Sequence, residues 1–520
     1  MRTGARERVL SARRVVLLQH LLDNAARRTP DGVAVVVDDD EVTFARLRAD
    51  AGRLANAIAG VTAPGDRVAI LAENRIDYVA AYYAVPAVGR VLAPLNHRLH
   101  PDEWVELLRL CDARVLLAES PFVEAIRPHL PSTGVATVVD LDRDLAGFVA
   151  PHVDHGAAET GDERAVAWLI STSGTTGLPK WAMLTHRSLT AGITNVSLAR
   201  PIADDDSLAT PFPLCHVAGY NVLAFHLHAR PVVLLRRFDP DVLNVQIERH
   251  RVRTLSLAPT MIATWLDAAS TASADLSSVR TLGYGASAIP APVLRRAIDQ
   301  LGVDLSQGYG MTELSGNVAF LGPDDHRAAV DLDDERLLRA AGRPGPLAAL
   351  RIVDDDLGDV APGSPGEIVV RADQVCAGYW NDAEATRAAF TDDGWFRTGD
   401  LGRIDPDGLL SIVDRKKDVI VTGGENVASR EVEQVLERHP AVREVAVVGV
   451  ADPTWGENVC AVVVPSDPDA PPTLDDLVAF AREHLAGFKK PKRLVVVDAL
   501  PKNATGKIQK QVLRAALLEP

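Results

Sequence analysis

The sequence predicts an α/β fold: a large N-terminal domain of layered α/β sheets carrying a β-rich subdomain, then a small α+β C-terminal domain. Three observations predict it. Short β-branched runs alternate with helical periodicity through the first two thirds of the chain, the pattern of largely parallel sheets covered by helices. From Ala361 the texture changes to short strands separated by Pro, Gly and Asp turns. The chain of 520 residues exceeds what a single core serves, so two or three folding units are expected.

Each element has its own signal. Residues 67–71 (Arg-Val-Ala-Ile-Leu) read as a buried strand after the turn Ala63-Pro64-Gly65. Thr43 is a suitable N-cap for a helix through Ile58, with Leu47, Leu54 and Ile58 on one face. Further strands are expected at 114–118, 135–141, 231–235 and 254–258. Turns at Pro362-Gly363, Pro365-Gly366, 392–394 and 405–408 punctuate the β-rich subdomain, about 345–414. After the charged run 414–418 a compact unit follows: a strand, a helix over 431–437, strands at 445–450 and 459–464, then helix, strand and tail. Thr473 and Asp476 form a capping box for the second of these helices, and Gly487 is its expected stop. The expected division is 1–414, a hinge at 415–418, and 419–520.

Composition narrows the function classes. Hydrophobic residues make up 47% and charged residues 24%, so a packed globular protein is expected. A net charge of −15 argues against a nucleic-acid partner. Cys111, Cys215, Cys376 and Cys460 are far apart with no C-x-x-C pair, which speaks against a zinc site or disulfide framework. No apolar run suffices for a transmembrane segment, and the stretch 15–18 after the N-terminal arginines is too short for a signal peptide, so a cytoplasmic location is expected. The oligomeric state stays open.

The strongest local signal is Thr172-Ser173-Gly174-Thr175-Thr176-Gly177-Leu178-Pro179-Lys180, after an apolar run. Glycines let backbone N–H groups approach an anion, hydroxyls add donors, and the lysine supplies a point charge. This is not the P-loop pattern. It resembles the phosphate-binding signature of the adenylate-forming superfamily of acyl-CoA synthetases, luciferases and peptide-synthetase adenylation domains. The resemblance runs from about Leu21 to Leu513 through seven motifs in order.

On that resemblance, residues 213–219 (Pro-Leu-Cys-His-Val-Ala-Gly) form an acyl-pocket wall with His216 at the mouth of the thiol tunnel. Residues 283–287, with Gly285 and Ala286, lie on the adenine side. Residues 307–313 supply Tyr309 beside adenine, Thr312 to phosphate and Glu313 to magnesium. Asp400, in Trp395-Phe-Arg-Thr-Gly-Asp400, accepts from the ribose hydroxyls. Arg415, the hinge Lys417 and the tunnel residue Gly424 belong to the next segment, and Lys507 to the terminal catalytic loop. The implied substrates and cofactors are ATP or acyl-AMP, Mg²⁺ and coenzyme A.

The chemistry explains the residue types. A carboxylate is a poor acyl donor, and joining it to AMP supplies a good leaving group. Anionic groups must meet, so charge neutralisation by Lys507 and Mg²⁺ dominates the first step. The resemblance implies that a mobile C-terminal domain then swings about Lys417, withdrawing Lys507 and building the tunnel for the thiol.

Two positions depart from the family. Trp181 stands where glycine is usual. Either it points into the core with Ala182 and Met183, or it obstructs the triphosphate, leaving only acyl-AMP plus CoA and requiring a separate adenylating enzyme. Ser429 replaces a frequent proline and is expected to N-cap the helix that follows.

The acid remains open. Lack of an aspartate in 215–219 disfavours an amino acid. Val217, Ala218, Gly219, Gly283, Gly308, Gly310 and Gly316 suggest a roomy pocket for a bulky hydrophobic carboxylic acid, with Asn221 or the 260–264 segment as further determinants. A different class, a nicotinamide oxidoreductase, rests on a loose dinucleotide fingerprint from Gly283 to Ala288 with Asp304 beyond it, crowded by Pro290 and Pro292 and without an evident βαβ unit.

Overall fold

The structure, a computed structural model, describes residues 16–154, 161–172, 179–285, 289, 291–332, 334–338, 340–422, 425–452, 455–502 and 507–518. Phosphate-loop residues Ser173, Gly174, Thr175, Thr176 and Gly177, together with Ala286 and Gly424, lie outside the described residues.

Two large sheets form the N-terminal part, one mainly parallel and one mixed. The six-stranded sheet runs Thr137–Asp140, Ala113–Ala118, Arg67–Leu71, Val91–Pro94, Val166–Thr172, Lys180–Thr185, with only the last strand antiparallel to its neighbour. Arg67–Leu71 is buried throughout, as its uninterrupted apolar run dictates. Thr43 caps the helix Phe44–Val61 by accepting from the Arg46 N–H, and Leu47, Leu54 and Ile58 face the core.

The second sheet has thirteen strands. Its parallel centre contains Leu208–Thr210, Val232–Leu234, Thr254–Leu257, Thr281–Gly285 and Asp304–Met311. It continues through Gly316–Leu321 and Ala340–Pro344 into the antiparallel strands Leu410–Arg415, Phe396–Ile404, Gly366–Arg371 and Ala349–Val353. The β-rich region is thus an extension of the thirteen-stranded sheet, although its core, including Ile352, Ile368, Val370 and Phe396, is separate.

Beyond Ile420 the strands pair among themselves. Val442–Asp452 and Gly456–Pro465 form a long hairpin, covered by the helices Ser429–Leu436, Leu474–Arg482 and Lys510–Leu518. The capping box of Thr473 and Asp476 is present. That helix ends at Arg482, before the expected stop at Gly487, which instead begins a short 3-10 turn.

A βαβ unit does exist at the suspected dinucleotide fingerprint: Thr281–Gly285, the helix Ala291–Leu301 and the parallel strand Asp304–Met311. Asp304 begins its strand, exposed, and pairs with Arg327. A ribose-binding carboxylate belongs at the carboxyl ends of such strands, so Asp304 sits at the wrong edge.

Candidate active site

The hairpin that leads out of the phosphate loop sorts two adjacent side chains to opposite faces. Val166–Thr172 pairs with Lys180–Thr185, placing Thr172 opposite Lys180 and Ser171 opposite Trp181. Side chains alternate along a strand. Trp181 and Met183 therefore enter the cluster that contains Leu95, Trp104 and Leu169, while Ala182 and Leu184 enter the core on the other face. Trp181 is 2% exposed. Its buried indole N–H finds no acceptor among the described residues, so packing alone holds it. Ala182 does not accompany it, as the core reading had expected.

Lys180 has the opposite parity, and its Nζ lies 5.2 Å from the centroid of the Tyr379 ring. Tyr379 arrives on a segment that extends the sheet: Met183 N–H donates to the Gly378 carbonyl, and Trp380 N–H to that of Trp181. The Tyr379 hydroxyl donates to Glu313 Oε1 at 3.0 Å, and Cys376 N–H donates to the Glu313 carbonyl. Lys180 and Glu313 are thereby joined across one aromatic ring. Burial raises the Glu313 carboxyl above its ordinary range, opposed by the hydrogen bond from Tyr379 and the charge of Arg415. Thr312 begins the same 3-10 turn, and Gly285 ends the strand beside Gly308.

A second group gathers around Asp400. The Tyr309 hydroxyl donates to Asp400 Oδ2 at 2.8 Å, and Arg415 Nε lies 3.1 Å from Asp400 Oδ1. Asp400 and Arg415 are cross-strand partners. Lys507 comes to this group from the far end of the chain. Desolvation lowers its ammonium to about 8, assisted by Arg415 and opposed by Asp400. Lys417, in the 3-10 turn Lys416–Asp418, lies within electrostatic reach of Lys507 and is itself pushed down, mainly by burial.

His216 stands apart. Burial, reinforced by Arg98 and His97, lowers its imidazole to about 4, so the ring is neutral at physiological pH. Its Nε2 is buried without a partner among the described residues.

The chain as a whole matches known proteins in sequence and in fold. The AMP-binding enzyme family matches residues 22–380, and the AMP-binding enzyme C-terminal domain matches residues 431–507. The chain belongs to the AMP-binding enzyme family.

Among relatives of this adenylate-forming enzyme, feruloyl-CoA synthase of Amycolatopsis sp is 38% identical, the match covering 94% of this chain and 96% of that one. Indoleacetate–CoA ligase of Aromatoleum aromaticum is 36% identical, covering 96% and 97%. Of solved structures, ATP-bound MatB from Rhodopseudomonas palustris superposes with a TM-score of 0.88 at 28% identity, covering 97% and 99%. o-Succinylbenzoate CoA synthetase from Bacillus subtilis, in complex with its acyl-adenylate, gives 0.83 at 31% identity, covering 96% and 98%.

Within this adenylate-forming fold, Ser429 differs from expectation. The N-cap of the helix Ser429–Leu436 is Ala428, whose side chain makes no cap. Ser429 Oγ instead donates to Asp414 Oδ2 at 2.8 Å and accepts from Lys510 Nζ at 2.6 Å. Lys510 also pairs with the buried Glu433 at 2.7 Å. Asp414, on the other side of the segment 415–418, accepts from the Arg430 N–H as well, so it takes over part of the capping. Nearby, Lys489 pairs with Glu431, and Lys492 lies 3.8 Å from the centroid of the Trp455 ring.

The glycines read as room for a large acid do not face open space. A Cβ at Gly219 would meet the Tyr82 hydroxyl at 2.0 Å, and one at Gly308 the Asn317 amide at 2.0 Å. At Gly316 it would meet the Tyr220 ring at 3.1 Å, and at Gly283 an Arg200 nitrogen at 3.0 Å. Sequence reasoning missed Tyr379, Tyr220, Asn317 and Arg200. For Tyr379 a signal existed, the Gly378-Tyr-Trp380 island between strands. Arg200, one basic residue after a helix, had none.

Proposed function

We propose that this chain is an ATP-dependent acyl-CoA synthetase that carries out both half-reactions, first forming acyl-AMP and then transferring the acyl group to coenzyme A. The observation that carries this reading is that Lys507 lies within electrostatic reach of Asp400 and Arg415, which supports a role for its cation in adenylation. Placement of Trp181 on the face away from Lys180 supports access for the triphosphate. A separate adenylating enzyme is then unnecessary.

In the first step the loop 172–177 and Lys180 receive the β- and γ-phosphates, and Thr312 the α-phosphate. Asp400 holds the ribose, with Tyr309, Gly285 and Ala286 around adenine. Lys507 neutralises the carboxylate and the α-phosphate as their oxygens approach, which is electrostatic stabilisation by a group already in place. Glu313 fits magnesium: it would be a hard oxygen ligand, its Oε1 is held by Tyr379, and magnesium bound with a nucleotide needs only one or two carboxylates from the protein. Bound there, the ion would offset phosphate charge and orient the leaving pyrophosphate.

For the second step, the segment 415–418 acts as the pivot between residues 1–414 and 419–520, with Lys417 at its centre. Lys507 leaves, Gly424 lines the thiol path, and neutral His216 sits beside the acyl carbonyl. An apolar acid body is supported by relatives whose names carry ferulate and indoleacetate. The test is acid-dependent exchange of labelled pyrophosphate into ATP without CoA, followed by thioester formation when CoA is added. Thioester from supplied acyl-AMP with no exchange for any acid would sink the two-step reading.

A further inference from the structure

At the inner end of the proposed acyl site lies a cluster of hydrogen-bond donors without a matching acceptor. Arg200 follows the helix His186–Ala199, and its guanidinium turns inward over the Phe320 ring at 5.7 Å. One of its nitrogens crosses the face of Gly283, where a Cβ would come within 3.0 Å. Among the described residues its one side-chain hydrogen bond, 3.5 Å to the Tyr220 hydroxyl, is long and weak. Among the described residues Arg200 Nε is buried with no partner, and no carboxylate pairs with this guanidinium. The Tyr220 oxygen also accepts from Asn317 Nδ2 at 3.0 Å, which leaves the phenol proton to give.

The surroundings tie this cluster to substrate. Tyr220 directly follows the 213–219 wall and covers Gly316, and Asn317 is the cross-strand partner of Gly310 beside Tyr309. A guanidinium has five N–H donors in a planar fork, suited to a carboxylate or carbonyl. Holding it inside with one weak bond is costly unless something else completes it. A purely hydrocarbon acid would leave it incomplete.

We infer that Arg200, with Tyr220 and Asn317, reads an oxygen acceptor at the far end of the substrate acid, so that the preferred acids carry a second carboxylate or an oxo group distal to the reacting one. This rests on the acyl-CoA synthetase reading and refines its substrate class. Arg200 is a specificity residue here, remote from the bond-forming atoms, and its contacts tell more from less acceptor-rich acids.

The experiment compares full-length wild type, Arg200→Met and Tyr220→Phe on matched acids differing only at the distal end: methyl, acetyl or carboxylate, on straight-chain and para-substituted aromatic bodies. The readout is the ratio of kcat/KM between acceptor-terminated and methyl-terminated partners, measured by acid-dependent pyrophosphate release with CoA present. A charge-assisted contact predicts a wild-type ratio of roughly 10- to 100-fold. Arg200→Met should bring it close to unity. Tyr220→Phe, which keeps the ring over Gly316, should reduce it partway and serves if Arg200→Met does not fold. A higher ratio for carboxylate than for acetyl identifies an anionic end group, and equal ratios a neutral carbonyl; both support the inference. Turnover of the methyl acids with no preference in wild type would overturn it while leaving the synthetase reading intact. Absence of turnover with every acid would instead remove the synthetase reading and this one with it.

Discussion

Replacing Trp181 with glycine, the residue usual in the family, separates the two meanings of that position. The indole is 2% exposed. A buried tryptophan removes about 200 Å² from water. At about 25 cal/mol per Å² this is worth up to ~5 kcal/mol, an upper bound because the unfolded chain is partly compact. Truncations of buried Trp to Ala cost about 3–5 kcal/mol, and glycine inside a strand adds roughly 0.5–1 kcal/mol. Trp181→Gly should therefore lower the thermal midpoint by roughly 4–7 °C in a fluorescence melt, for an unfolding unit of about 400 residues. Exchange of labelled pyrophosphate into ATP should be robust in wild type and no higher in the variant at a temperature where both are folded. Trp181→Phe, which keeps most of the filling, should melt between them. A stable Trp181→Gly protein that gains exchange absent from wild type would refute the argument, since the ring would then have been facing the phosphates.

Lys507→Ala should cut acid-dependent exchange by about a hundredfold or more, yet spare thioester formation from supplied acyl-AMP; equal loss of both would contradict the swinging-domain reading. Burial favours the neutral amine of Lys507, so the cation is present below about 8 and is lost as pH rises through that value. Adenylation kcat/KM should accordingly fall on the alkaline side near pH 8, and Lys507→Arg should move that limb upward. The same sign means that the burial penalty on the ammonium is relieved as pH climbs from about 8 toward the ordinary lysine value of 10.5. Asp400→Asn should raise the KM for ATP about tenfold or more, checked by initial rates at saturating acid. Burial pushes the Cys111, Cys215 and Cys376 thiols up to about 12, so native protein should resist alkylation that goes to completion in denaturant.

Much of this was legible in the chain because local signals and spacing agree with the fold. Thr43 and Thr473 cap helices where their side chains predict, and apolar runs became strands with bounds within three residues. The motifs named residues that the fold does bring together, Tyr309, Asp400 and Arg415 in one group and Lys180 and Glu313 in another. What failed was parity and occupancy. A sequence shows that Trp181 is large; only strand pairing shows which face it takes. Glycines at 219, 283, 308 and 316 announce that something passes close by, but not that the visitors are Tyr82, Arg200, Asn317 and Tyr220. Ser429 looked like a cap by composition, and its hydroxyl was drawn away by Asp414 and Lys510, partners distant in sequence.

The pairing of Asp400 with Arg415 has a further consequence. Arg415 immediately precedes the turn Lys416–Asp418, so the group proposed to grip the ribose and the axle proposed for the small domain are cross-strand neighbours. No relay of intervening elements is needed between them. Whatever occupies or vacates Asp400 alters the partners of Arg415 and is felt at the axle within the length of one side chain. The posture of the small domain should then track nucleotide occupancy directly, so that AMP alone, with no acid bound, shifts the balance between the two poses.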